Sequence, residues 1–195
     1  MSEDVLPLCG KFLIAMPGMS DARFERSVIY ICAHSAEGSM GFVINQLMDE
    51  PTVPDFLKQL EIISEEEHDG IGEIVPQEKL SVGGPVEPGR GFVLHSSEFA
   101  GPSTKKVQDG VSLTATLEIL RAIATGKGPG KYMMILGYSG WSGGQLEEEI
   151  LQNGWLSVDA DHSIIFDCDI EKKYDKSLAL LGVDPALLSS LAGNA

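Results

Sequence analysis

The chain predicts an α+β fold, or an irregular α/β one, built on a mixed sheet with flanking helices. Three observations lead there. Strand-length apolar segments and helix-length amphipathic segments are interspersed, but without a regular βαβ rhythm or any internal repeat. Several strand-like segments are apolar at every position, so both of their faces need cover. And 43% of the 195 residues are apolar against 22% charged, which suits one domain with a core of its own and no need of disulfide or metal staples.

Taken in order, residues 11–16 read as a first strand, broken by Pro17-Gly18. Residues 28–33, Val-Ile-Tyr-Ile-Cys-Ala, read as a central strand closed by His34. A polar turn at 35–39 returns the chain into 41–45, which makes a hairpin. Residues 54–60 suit a short helix. Residues 61–79 are acidic and broken by Gly70, Gly72 and Pro76, so they read as an irregular surface loop. Segments 80–84 and 91–95 read as a second hairpin around Pro-Val-Glu-Pro-Gly-Arg.

Residues 113–125 form the best helix pattern, with Leu113, Leu117, Leu120 and Ala124 on one face and Gly126 as its stop. Residues 131–137 read as a buried strand and 145–153 as a helix ended by Gly154. Residues 155–158 and 163–166 read as strands, the second rich in β-branched and aromatic side chains. Residues 170–181 are helical up to Gly182. Asp184-Pro185 opens a last short helix and tail over 184–195.

The totals exclude several roles. A formal charge of −15 opposes long-range attraction to nucleic acid or to an anionic membrane, and no basic cluster offsets it. Cys9, Cys32 and Cys168 are odd in number and far apart, as for incidental thiols in a reducing compartment. No segment approaches the ~20 apolar residues of a membrane span. The expectation is a cytoplasmic protein that binds a small ligand or a protein partner, with no membrane, no direct nucleic-acid contact, no metal and no cofactor.

The densest unusual stretch is Gly137-Tyr138-Ser139-Gly140-Trp141-Ser142-Gly143-Gly144-Gln145-Leu146. Residues 140–144 match G-x-S-x-G, the pattern of a hydrolase nucleophile on a strand–turn–helix. A serine hydrolase would use Ser142 or Ser139 with His34, His95 or His162. The structural reading is stronger. Ser142 and Gln145 have capping-box spacing, Trp141 and Leu146 that of a hydrophobic staple, and Glu147-Glu148-Glu149 suits a positive helix end. The same three glutamates disfavour a phosphate cradle there.

Other candidates carry structural readings beside functional ones. His34 and His95 close strands and could share a metal or a proton, or bond to backbone; no metal-ligand spacing is present. Asp21, Arg23 and Arg26 suit an ion pair that fixes a loop. Asn45 suits a turn cap or a ligand contact. Gly83 and Gly84 suggest close backbone approach.

Four segments in order resemble the AlgH/YqgE family. They are 10–17 continuing through Asp21 and 24–28; Gly38-Ser39-Met40-Gly41-Phe42-Val43-Ile44-Asn45; Gly83-Gly84-Pro85-Val86 followed by 91–95; and 137–146 followed by Glu149 and Asn153-Gly154-Trp155. Gly154 departs from the serine expected in an Asn-Ser-Trp motif. The resemblance runs from about Cys9 to Leu181. It implies a bifurcated sheet curled into a pseudo-barrel, a label of transcriptional regulator, and no assigned catalytic residues. A non-catalytic binding or regulatory protein is therefore expected, with the small serine hydrolase as the alternative. Its contact surface is expected from His34, Asn45, Gly83, Gly84, His95, Tyr138, Ser139, Gly140, Trp141, Ser142 and Gln145.

Overall fold

A computed structural model describes residues 7–184. The helix and tail expected over 184–195 lie outside these residues beyond Asp184. In chain order the strands are β1 Lys11–Ala15, β2 Val28–Ser35, β3 Gly38–Val43, β4 Leu47–Thr52, β5 Lys79–Val82, β6 Val86–Ser96, β7 Lys105–Gln108, β8 Val111–Thr114, β9 Tyr132–Ser142 and β10 Trp155–Asp159. The helices are α1 Val53–Gln59, α2 Glu65–Gly70, α3 Leu117–Ala124, α4 Gln145–Leu151, α5 His162–Phe166 and α6 Lys173–Leu180. The class is α+β with a mixed sheet, as the pattern predicts. The chain holds two compact units.

The first unit holds residues up to Gln46, 83–86, and 138 onward. Its strands run β10-β1-β2-β3 and then the second half of β9, all antiparallel. Phe12 to Ala15 and Val28 to Ile31 are all fully buried, which explains why these strands are apolar at every position. On one side Leu13, Ile29, Ile31 and Val43 cluster with Trp141, Leu146 and Trp155.

Helix α6 packs on β1 and β2. The Tyr174 hydroxyl donates to the Ala15 carbonyl at 2.7 Å. Arg26 lies over the Tyr174 ring and pairs with Asp175 at 3.1 Å.

Lys173, on the same helix, is buried and donates to the Ile165 carbonyl at 2.7 Å. Burial pushes its pKa from 10.5 down to about 8. Between those values the unfolded chain holds a proton that the folded chain does not. The stability contributed by this site therefore rises with pH from about 8 to 10.5, by on the order of 3 kcal/mol. Burial raises the pKa of the Tyr30 and Tyr132 phenols, and their titration works in the opposite direction at the upper end. The expected result is thus a difference between proteins. In urea melts Lys173→Met gains on the wild type near pH 7, and the gain shrinks across pH 8–10.5. A pH-independent difference would contradict the buried charge.

The second unit holds 47–82 and 87–137. Here β4 pairs antiparallel with β5, and β5 pairs parallel with β9, which makes the sheet mixed. Strand β6 lies between β9 and β8, with β7 beyond. The core gathers Val53, Leu57, Leu80, Val93, Ile119, Ile123 and their neighbours. Strand β9 serves both units: Ile135 and Leu136 pair with β5, and Ser139 to Ser142 with β3. The fork expected in the sheet falls in this strand.

Five local expectations are corrected. Segments 80–84 and 91–95 are strands but no hairpin, because β5 takes β4 and β9 as partners and β6 takes β8 and β9. Residues 61–79 are not an irregular loop. Ser64 and Glu67 form a capping box that starts α2, and Ile63, Ile71 and Val75 anchor the segment in the core.

The helix expected from Leu113 begins at Leu117, and Val111–Thr114 instead pairs with β6 as a strand. Residues 163–166 are helical, not extended: Asp161 accepts from the Ser163 amide and hydroxyl, and the turn that follows buries Ile164 and Ile165. Lastly, Tyr138–Ser142 is strand rather than turn, so β9 runs five residues past its expected end at Gly137.

Candidate functional site

That longer strand changes the meaning of the glycine-rich stretch. Ser142 is the last residue of an extended strand, and the left-handed turn falls on Gly144, at φ 78°. Gly144 is also the cap residue of α4, and no side chain caps that end. Half of the expected capping box survives. Gln145 Oε1 accepts from the Ser142 amide at 3.1 Å and from its hydroxyl at 3.2 Å, while the serine oxygen takes no helix N–H. Trp141 and Leu146 are buried in one cluster, as a staple requires.

Ser139, Gly84 and Gly143 are accounted for by neighbouring backbone. Ser139 is buried and donates to the Gly83 carbonyl at 3.1 Å. The same carbonyl accepts from the Val43 amide at 2.9 Å. Gly84, at φ 151°, lies against the Tyr138 carbonyl and the Ser139 hydroxyl, where a Cβ would overlap both. Gly143 lies equally close to the Ala36 carbonyl of the β2–β3 turn. The close approach predicted at 83–84 is therefore strand packing.

The histidines lie apart from Ser139 and Ser142 as well. His95 is fully buried in the second unit. Its Nδ1 faces the Ser96 carbonyl at 2.9 Å and must donate, so Nε2 accepts from the Thr114 hydroxyl at 2.8 Å. Thr114 in turn accepts from Thr104, and Thr104 from the Gly101 amide. Every member of the chain is satisfied, and burial holds the His95 pKa below its usual value.

His34 belongs to the first unit. Its Nδ1 meets the Ser39 hydroxyl at 2.7 Å, and its Nε2 lies 3.4 Å from Glu147 Oε1, outside hydrogen-bond geometry. Its serine neighbour is thus Ser39, across the hairpin, rather than Ser139 or Ser142. His162 opens α5 as its first residue. Asn45 takes the turn role: its Oδ1 accepts from the Val28 amide and its Nδ2 donates to the Arg26 carbonyl. Among the described residues no group of three His, Cys, Asp or Glu side chains is placed to hold a metal.

The structure gathers a different constellation. In the first unit a cleft of about 590 Å³ is bounded by the loop after β1, by Gly140 and Trp141 of β9, by α4 and by Trp155. Its organising group is Glu149. Oε2 accepts from both indoles, Trp141 Nε1 at 2.9 Å and Trp155 Nε1 at 2.8 Å. Oε1 accepts from Gln145 Nε2 at 2.9 Å.

Local sequence makes this possible. Gln145 and Glu149 are four apart and share a helix face. Asn153 takes φ 58° and ends α4, and the Gly154 amide bonds back to the Glu149 carbonyl at 2.8 Å, which turns Trp155 under the helix. A Cβ at Gly154 would lie 3.0 Å from that carbonyl, a close contact that glycine avoids.

The two indoles meet edge to face at 6.1 Å, and Phe24 meets Trp155 likewise at 5.6 Å. At the cleft, Arg23 holds Asp21 bidentately, at 3.0 and 2.7 Å, and this pair caps the turn at 22–24. Arg23 keeps the Asp21 carboxyl below its usual range. Arg26, expected beside them, is drawn to α6 instead.

Of the expected residues, Gly140, Trp141 and Gln145 line the cleft. Tyr138, Ser139, Gly83 and Gly84 form the strand packing behind it, and Ser142 braces Gln145. His34, Asn45 and His95 are not part of its lining. Sequence reasoning did not include Glu149 and Trp155 among the candidate residues, and both line the cleft. The four-residue spacing from Gln145 was the available signal.

Known proteins share the sequence and fold of this chain. The family model described as AlgH-like matches residues 12–186. A UPF0301 protein of Bradyrhizobium diazoefficiens is 53% identical over 189 residues, covering 96% of this chain and 88% of that protein. One from Rhizobium meliloti is 50% identical over 188 residues, covering 96% and 93%. The solution structure of the AlgH protein from Pseudomonas aeruginosa superposes with TM-score 0.77 at 36% identity, over 100% of this chain and 98% of that one. A Corynebacterium diphtheriae protein shares the fold at TM-score 0.67 and 18% identity, over 87% and 86% of the two chains.

Proposed function

We propose that this chain, which belongs to the AlgH-like family, is a non-catalytic binding protein whose ligand site is the cleft over Trp141, Glu149 and Trp155. It acts in the cytoplasm as a regulator, through a small ligand or a protein partner rather than through direct contact with DNA. The observation that carries this reading is the cleft itself. Its volume is in the range of small-molecule sites, and aromatic walls surround a few convergent polar groups. Two further observations support it. Ser139 and Ser142, the expected nucleophiles, are bonded to Gly83 and Gln145. The charge of −15 opposes phosphate contacts.

Trp141 and Trp155 are the chain's two tryptophans, and both indole N–H groups bond to Glu149. Their two signals in an amide-correlation NMR spectrum report directly on the cleft. A metabolite and fragment screen on labelled protein is expected to find compounds that shift both signals saturably. Hits that leave them unmoved would refute the site. Turnover of any substrate that is abolished by Ser39→Ala, Ser139→Ala or Ser142→Ala would refute the non-catalytic reading.

A further inference from the structure

The charge of the cleft carries the argument one step further, from a site to the chemistry of its ligand. Three charged side chains line it: Asp21, Arg23 and Glu149. Asp21 and Arg23 neutralise one another through two close contacts. Among the described residues Glu149 has no such partner. Its neighbours are two indoles and one carboxamide, all neutral donors. Hydrogen bonds from neutral N–H groups satisfy lone pairs but leave the full negative charge in place.

The bonding also leaves capacity. A carboxylate offers about four acceptor positions. Oε2 uses both of its positions on the indoles, and Oε1 uses one on Gln145. One acceptor position on Oε1 is unused. The carboxylate is half-buried beside low-polarity walls, where attraction between opposite charges is stronger than in bulk water. An anion entering this space would meet Glu149 directly. A neutral donor could fill the open position without compensating the charge.

We infer that the cleft takes a cationic group, a primary ammonium or a guanidinium carried on a partly apolar body, with Glu149 as its counter-ion. This rests on the cleft being the ligand site. The cation occupies the open position on Oε1. The apolar body lies along Met19, Phe24 and Val86, and the exposed amides of Gln152 and Asn153 offer further polar contacts at the lining. The indoles act as positioning residues: both N–H groups hold Glu149 Oε2, so Oε1 is the oxygen left to the ligand. The same chemistry can arrive as a free small cation or as an arginine or lysine side chain of a partner protein.

The test uses the two indole N–H signals of the full chain and matched probes that differ in charge. Benzamidine, benzamide and benzoate are titrated first. The blocked tripeptide acetyl-Gly-Arg-Gly-amide and its neutral citrulline counterpart follow. The expected result is saturable binding of at least one cationic probe, at least tenfold tighter than its neutral partner, with no binding of benzoate. That preference weakens as salt is raised, and Glu149→Gln reduces it to near unity. Tighter binding of benzamidine assigns a free small cation, and tighter binding of the arginine peptide assigns a protein side chain. Equal affinity for charged and neutral partners overturns the cation inference and leaves the cleft standing as a ligand site. Preference for benzoate, or no shift with any probe, also overturns the inference, whereas the broader screen decides the site itself. The wild-type probe pairs decide the question even if Glu149→Gln does not fold.

Discussion

Gly84→Ala is expected to destabilise the protein by roughly 3 kcal/mol or more, the sum of overpacking against fixed backbone and a dihedral that L side chains avoid. Gly84 sits at φ 151°, and a Cβ there would overlap the Tyr138 carbonyl and the Ser139 hydroxyl. The carbonyl cannot swing aside, because the Tyr138 backbone continues directly into the β3–β9 pairing at Ser139. Displacing Ser139 would also break its bond to Gly83, whose carbonyl ties the segment to Val43. The informative control is Gly144→Ala. Gly144 has positive φ but open space around it, so only the dihedral penalty of about 1 kcal/mol applies. Chemical denaturation of both variants separates the two effects. If Gly144→Ala costs as much as Gly84→Ala, close packing at residue 84 is not what the glycine serves.

Glu149→Leu is expected to cost about 3 kcal/mol, because it strips the acceptor from two buried indole N–H groups at once. Trp155 is only 3% exposed and Trp141 7%, so water replaces the lost acceptor poorly. Gln145 loses its partner too, but it is exposed and can turn to solvent. Glu149→Gln keeps one oxygen as an acceptor and is expected to lose about 1 kcal/mol, the charge-assisted share of the bonds. Both variants should shift the two indole N–H signals upfield as those bonds weaken. A Glu149→Leu protein of wild-type stability with unmoved indole signals would show that the carboxylate does not organise the cleft.

These two residues differ in how far the sequence announces them. Gly84 stands in a Gly-Gly-Pro triplet, and close approach was readable there. What approached it was not readable, because Tyr138 and Ser139 are more than fifty residues away. Glu149 stands in a run of three glutamates that reads as a solvated helix start. Only its four-residue spacing from Gln145 singles out the third glutamate, and nothing local aims it at two tryptophans.

The misread elements follow the same logic. Strands β1, β2 and the first part of β9 are buried on both faces, and that burial writes continuous apolar runs. Strands β4 and β7 are partly exposed and polar, so they carry no comparable pattern. Leu113 shares a 3.6-residue period with Leu117, yet strand pairing with β6 claims it. Ile164 and Ile165 have strand propensity, yet Asp161 caps a turn that buries both. In each case a tertiary partner outweighed a local preference worth less than about 1 kcal/mol per residue.

By itself, then, the sequence determined the α+β class, the principal buried strands, the acidic surface and the family, because burial and charge are written residue by residue. The tertiary structure alone decided which of three glutamates holds two indoles, which serine meets His34, and where a cleft opens. Those outcomes depend on the pairing of β2 with β3, of β3 with β9 and of β1 with β10, and on one left-handed turn at Asn153, which bring donors and acceptors within 3 Å. Local periodicity carries no record of such distances.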